Sequence, residues 1–157
     1  LKKASWFFND QEPFLLYNVD VLINFNLKDL YTAHLEREPL VTLAVSNRET
    51  TRYLLFDEQE RMRGWMNLKS GEKKPAGLNP STLRRAAFSG VHVCSPELLK
   101  LMNKEGTYSL IETYIDLCMD YPIHGWEHDP SDWMDVGKPE ALQAIHAKPK
   151  EMLFRHD

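Results

Sequence analysis

The chain has 157 residues, 43% of them hydrophobic, which is enough for one domain with a substantial core. Its 19 basic and 23 acidic residues give a formal net charge of −4, and Lys73-Lys74 and Arg84-Arg85 are only pairs, so the basic stripe of a nucleic-acid surface is missing. No apolar stretch approaches the ~20 residues of a membrane span and nothing reads as a signal peptide, so a cytoplasmic protein without nucleic-acid or membrane partners is expected.

Leu1 to Phe8 reads like the tail of a helix already under way, so the chain is expected to be part of a longer protein. Pro13 to Tyr17 is a short continuous apolar run, the pattern of a buried, parallel-type strand. Leu27, Leu30, Tyr31, His34 and Leu35 share one helical face, which predicts a helix over Leu27 to Arg37 with His34 as a core or boundary histidine. Leu40 to Val45 follows as a second buried strand. Thr51 to Phe56 and Arg61 to Met66, joined by Asp57-Glu58-Gln59-Glu60, predict a hairpin.

Asn67 to Leu83 carries lysines, prolines and glycines without periodicity and is the longest expected loop; Lys69, Lys73 and Lys74 could meet phosphate there, or belong to an ordinary charged loop. Arg84 to Val93 should be a strand. Ser95-Pro96-Glu97 has the order of an N-cap serine, a proline in the first turn and a first-turn acid. Ser109 to Met119 predicts another helix, Pro122 to His128 and Trp133-Met134 short strands, and Pro139 to Ala147 a closing helix. Cys94 and Cys118 lack metal-ligand spacing and are expected to be reduced and packed in or near the core. Alternation of strand-like and helix-like segments points to a single α/β domain over 1–157, incomplete at its start.

Two acidic residues stand out. Asp20 follows the run Phe14-Leu15-Leu16-Tyr17-Asn18-Val19, and Asp135 follows Trp133-Met134. Open α/β sheets place ligand and metal chemistry beyond the C-terminal ends of their strands. A pair of carboxylates there suits Mg2+, which takes hard oxygen ligands together with phosphate oxygens and water; turn or helix capping is the structural alternative. The cluster Glu127, His128, Asp129 and Asp132 reads as a solvated turn rather than a structural metal site.

From about Glu12 to Ile145 the chain resembles the C-terminal part of the sugar-1-phosphate nucleotidyltransferases (nucleotide-sugar pyrophosphorylases). Phe14 to Asp20 is similar to the family's strand ending in Asn-Gly-Asp, with Val19 at the glycine position. Phe88-Ser89-Gly90-Val91 resembles its Phe-Ser/Thr-Gly-Ile segment, and Trp133 to Leu142 resembles Trp-x-Asp-Val-Gly-Thr-Pro-Glu-x-Leu, with Lys138 replacing threonine. Thr51 to Asp57 and Gly64 to Asn67 are similar to segments of the uridylyl- and guanylyltransferase-like branch.

The resemblance implies an α/β fold with a Rossmann-like, mixed and mostly parallel sheet, flanking helices and its N-terminal part missing. It also implies the reaction of a nucleoside triphosphate (NTP) with a sugar 1-phosphate, giving an NDP-sugar and pyrophosphate. It implies Asp20 and Asp135 as the catalytic Mg2+ ligands and Gly90 and Glu112 as substrate contacts, with Gly90 allowing close backbone approach to the sugar. Asn18, Arg52 and Asn67 are further candidate substrate contacts. Ser109-Leu110-Ile111-Glu112 is also a capping box, so Glu112 has a structural role open to it. Arg52 and Asn67 could equally be an exposed strand residue and a turn residue.

The family's glycine-rich triphosphate loop has no counterpart here, since the seven glycines are all isolated. The chain alone is therefore expected to show little or no turnover, and an uncovered sheet to promote self-association. Two other functions remain open: a metal-dependent glycosyltransferase using Asn18-Val19-Asp20 as a degenerate metal motif, and a non-catalytic nucleotide-sugar-binding module.

Overall fold

The computed structural model describes residues 1–8 and 10–137. In chain order these form β1 (Phe14–Tyr17), β2 (Val21–Ile23), α1 (Leu27–Arg37), β3 (Val41–Ser46), β4 (Arg52–Phe56), β5 (Met62–Asn67), β6 (Lys73–Lys74), β7 (Arg84–Cys94), α2 (Glu97–Leu101), α3 (Leu110–Leu117), β8 (Ile123–Glu127) and β9 (Trp133–Asp135). Lys2–Phe7 is a 3-10 helix with Trp6 and Phe7 exposed. The helix expected over Pro139–Ala147 lies outside the described residues.

The fold is a mixed α/β sandwich of Rossmann-like type. Its main sheet runs β6-β5-β4-β7-β3-β8, and β1 also pairs with β7. β3 is buried at every position because helices cover both faces of the sheet. On one face Val41, Leu43 and Val45 join Leu98, Leu99, Tyr114 and Cys118 from the α2–α3 side, and on the other Ala44, Val91 and Val93 pack with Leu30 of α1. Both cysteines are free and buried, as the sequence predicts, and burial pushes the Cys94 thiol up to about 12 and that of Cys118 to about 11.

The expected parallel bias is not found among the described residues. β3 and β8 run parallel, whereas β7 is antiparallel to β1, β3 and β4, and β4-β5-β6 is an antiparallel meander. A continuous apolar run reports burial on both faces; it carries no information about strand direction, which the connections decide. β1 is antiparallel and pairs only with β7 among the described residues, and of its four residues Phe14 alone is buried while Tyr17 is exposed, so the expected buried, parallel strand is a partly covered antiparallel one.

Local chemistry explains the element ends. Asn26 caps α1 by accepting from the Lys28 N–H at 2.9 Å, and Glu38 leaves the helix in the left-handed region at φ 46°. In the β4–β5 hairpin, Asp57 Oδ1 accepts from Gln59 N–H and Arg61 N–H, which closes the turn. Ser95 does not cap α2. Its hydroxyl donates to the Pro39 carbonyl at 2.8 Å and lies 3.2 Å from His34 Nε2, so the residue ties α1 to the start of α2. His34 is buried as expected, also holds Thr42 at 2.9 Å, and is driven by burial to a pKa of about 4. The expected long loop contains the short strand β6 and a 3-10 turn at Pro80–Thr82.

Candidate active site

Asp20 sits in the turn after β1, and Asp135 ends β9. The two-stranded ribbon formed by β2 and β9 sets Val21 opposite Asp135, and the Val136 N–H donates to the Asp20 carbonyl at 2.8 Å. Both residues are exposed, and their side chains converge on Gly137. A Cβ added to that glycine would lie 3.3 Å from Asp135 Oδ1 and 3.4 Å from Asp20 Oδ2, so the two oxygens are no further apart than the sum of those distances. The Gly137 N–H donates to Asp135 Oδ1 at 2.9 Å and holds that carboxylate in place. The ribbon therefore assembles what the sequence places at two distant positions.

Neither carboxylate forms an ion pair among the described residues. A hard divalent ion is the complement that two neighbouring carboxylates fit. Among the described residues no group of three or more His, Cys, Asp or Glu side chains gathers to hold a metal, so an ion on this pair would take its other ligands from water or substrate, as Mg2+ commonly does.

Gly90 lies in β7 where the pairing changes, with Val91 opposite Tyr17 of β1 and Ala86 opposite Leu54 of β4. Its φ of +79° favours glycine, and the space a Cβ would fill is taken by Asn18, whose Nδ2, Cβ and Cγ would stand 3.1 to 3.3 Å away. The Asn18 N–H also donates to the Gly90 carbonyl at 2.9 Å. In this structure the close approach that Gly90 permits is made by Asn18, the residue two before Asp20.

A cavity of about 430 Å³ lies on the other side of this junction. Arg52 from β4, Asn67 from β5 and Glu112 from α3 all line it, so three of the sequence-predicted substrate residues meet there, together with Glu72 and Lys74 of the long loop. Asn18, Asp20, Gly90 and Asp135 do not line it. All of these lining residues but Arg52 also have local work among the described residues. Asn67 Oδ1 accepts from the Lys69 N–H at 2.9 Å, Lys74 pairs with Glu72 at 3.2 Å, and Glu112 faces Lys104 at 3.7 Å. The Ser109 hydroxyl caps α3 through the Ile111 N–H, while the Glu112 carboxylate is turned to Lys104 instead of closing the box.

Between cavity and acidic pair stands Arg48, which sequence reasoning misses. It follows the buried strand β3, the same kind of position that draws attention to Asp20, and that placement is the signal that could have found it. Its Nη2 donates to the Phe88 carbonyl at 2.6 Å and its Cζ lies 3.8 Å from the centre of the Trp133 ring. Trp133 in turn donates from Nε1 to the Ser89 carbonyl at 2.8 Å. Burial pushes the Arg48 guanidinium below the ordinary arginine value, against the opposing pull of Asp135 and then Tyr53.

His128 of the acidic cluster is buried, 2.7 Å from Ser89 Oγ and 2.8 Å from the Asp129 carbonyl. Burial first of all holds its pKa down, so its imidazole serves as an internal tie under β7.

No family model matches the sequence, and no curated protein matches it. Solved structures do. A UTP-bound UGPase from Acinetobacter baumannii superposes with a TM-score of 0.67 at 16% identity, over 92% of this chain and 53% of its own. The inositol-1-phosphate CTP transferase from T. maritima gives 0.65 at 16% identity, over 96% and 58%. A putative glucose-1-phosphate thymidylyltransferase from Bacillus anthracis, in complex with a sucrose, gives 0.66 at 9% identity, over 98% and 63%. The chain has the fold of these sugar-phosphate nucleotidyltransferases. It spans a little over half of the length of each. Among the described residues no helix is long and apolar enough to cross a membrane.

Proposed function

We propose that this chain carries the metal-binding and sugar-phosphate-binding part of a sugar-1-phosphate nucleotidyltransferase, which joins an NTP and a sugar 1-phosphate into an NDP-sugar and releases pyrophosphate. The observation that supports this best is the convergence of the Asp20 and Asp135 carboxylates on Gly137, one strand junction away from a cavity lined by Arg52, Asn67 and Glu112. Asp20 and Asp135 are the proposed Mg2+ ligands. Bound there, Mg2+ would neutralise developing charge on phosphate oxygens. Arg52, Asn67 and Glu112 offer donors and acceptors suited to sugar hydroxyls and an ester phosphate, while Asn18 seated on Gly90 shapes the passage between the two regions. In-line transfer then depends on orientation and electrostatics supplied by these groups.

The neighbours' names give this reading its substrate classes, since among them are a UTP-bound UGPase and a glucose-1-phosphate thymidylyltransferase; the base and the sugar stay undefined. They do not favour the glycosyltransferase alternative. With no glycine-rich loop in the 157 residues, turnover by this chain alone is not expected.

Mn2+ binding followed by electron paramagnetic resonance tests the reading without requiring turnover. Asp20→Asn and Asp135→Asn should each weaken Mn2+ binding by about tenfold or more, because each removes one of two charged ligands. Equal Mn2+ binding by wild type and the double variant would remove the basis of the proposal.

A further inference from the structure

Arg48 has more donors than the described structure uses. A guanidinium carries five N–H groups. Among the described residues the Arg48 guanidinium donates one hydrogen bond, to Phe88, and its Nε is buried without a partner. The group nevertheless lines the cavity and is held in place, by the Trp133 ring on one side and the Phe88 carbonyl on another. Unused donors on a partly buried, fixed cation are costly unless something accepts from them. The acceptor that suits a planar fork is an oxyanion, bound through two parallel N–H···O contacts.

The other cations of the cavity are less suited. Lys74 already faces Glu72 at 3.2 Å, and Arg52 is exposed and makes no side-chain hydrogen bond or ion pair among the described residues, so binding through it would cost its side-chain freedom. Arg48 lines the cavity, stacks on Trp133 two residues before Asp135, and also feels the charge of Asp135, which places it at the boundary between the two regions.

We propose that Arg48 is the anion-binding residue of the cavity, taking a phosphate monoester and orienting it toward the acidic pair. The proposal deepens the sugar-1-phosphate reading and rests on it for the nature of the ester. The residue is not needed to recognise a neutral sugar, and that separates a ligand-binding role from a structural one.

Inorganic phosphate, glucose 1-phosphate and glucose, titrated against the whole chain and followed by calorimetry and by the Trp133 indole N–H resonance, test this. Arg48→Met should weaken both phosphates by about tenfold or more, the scale of a charge-assisted contact, and leave glucose unchanged. Arg48→Lys keeps the charge but loses the fork, so it should recover part of that loss and steepen the salt dependence. It also keeps the test available should Arg48→Met fail to fold. Unchanged phosphate binding in both variants, or equal losses for phosphate and glucose, overturns the proposal. Weakened inorganic phosphate with no preference for glucose 1-phosphate in wild type upholds the Arg48 site and sinks the sugar-1-phosphate reading. A wild-type chain that binds none of the three sinks both.

Discussion

Replacing Gly90 by alanine tests the junction between the two halves of the site. The backbone at Gly90 has φ +79°, where an L-residue meets its own following carbonyl, and that strain costs about 1–2 kcal/mol. The new methyl would also stand 3.1 to 3.3 Å from Asn18, closer than ordinary van der Waals contact, so Asn18 must swing away. Asn18 is exposed and can do so cheaply; the contact should therefore appear as displacement more than as lost stability. Gly106 supplies the reference, because its φ is +84° and a Cβ there would meet nothing within 4 Å. Both alanine variants should lose about 1–2 kcal/mol in urea unfolding, or roughly 2–8 °C in midpoint for a chain of this size. Only Gly90→Ala should also weaken Mn2+ binding and shift the Asn18 side-chain amide resonances. Gly90→Ala as stable as wild type, or an effect on Mn2+ shared equally by Gly106→Ala, would refute the reasoning.

The buried histidines make stability depend on pH. Burial lowers His92 to about 4 from an ordinary value of 6.5, so the unfolded chain takes up the proton first; the contribution is full above pH 6.5 and is lost as pH falls through about 4. For His92 that is on the order of 3 kcal/mol, and a His92 ring resonance titrating near its ordinary value in the folded chain would contradict it. Tyr114→Phe strips the hydroxyl that lies 2.7 Å from His92 Nδ1 and should cost about 1–3 kcal/mol in urea unfolding. Cys94 and Cys118 should resist thiol reagents at neutral pH until urea exposes them, since both are buried with raised thiol pKa values; rapid labelling of the native chain would disprove their placement.

What could be read from the sequence divides along physical lines. The bounds of α1 were legible because a capping asparagine and a 3.6-residue apolar period both mark them, and the β4–β5 hairpin because Asp57 announces its turn. Strand direction was hidden, since an apolar run such as β3 records burial alone and β7 returns antiparallel through distant contacts, and in β1 the same pattern overstated burial as well. Ser95 has the sequence of a cap and the structure of a crosslink, because the nearby Pro39 carbonyl and His34 compete for its hydroxyl. Within the site, Arg52, Asn67 and Glu112 line one cavity that their spacing in the sequence does not announce, and Arg48 depends on a stacking partner 85 positions away that no local pattern could indicate.

β7 has a consequence for how such a protein can diversify. Its first half pairs with the strand that carries Arg52, and its second half pairs with the strand that leads to Asp20, so one continuous backbone spans both. Its residues advance in fixed increments of about 3.3 Å, and a shift by a single residue would turn every side chain to the opposite face. The spacing between cavity and acidic pair is therefore quantised, and gradual adjustment along the strand is not open to mutation. Room for adaptation lies instead at the Gly90 irregularity and in the exposed turn over residues 68–71 between β5 and β6, where insertions leave the ladder intact. Descendants of this scaffold should differ in those two places first.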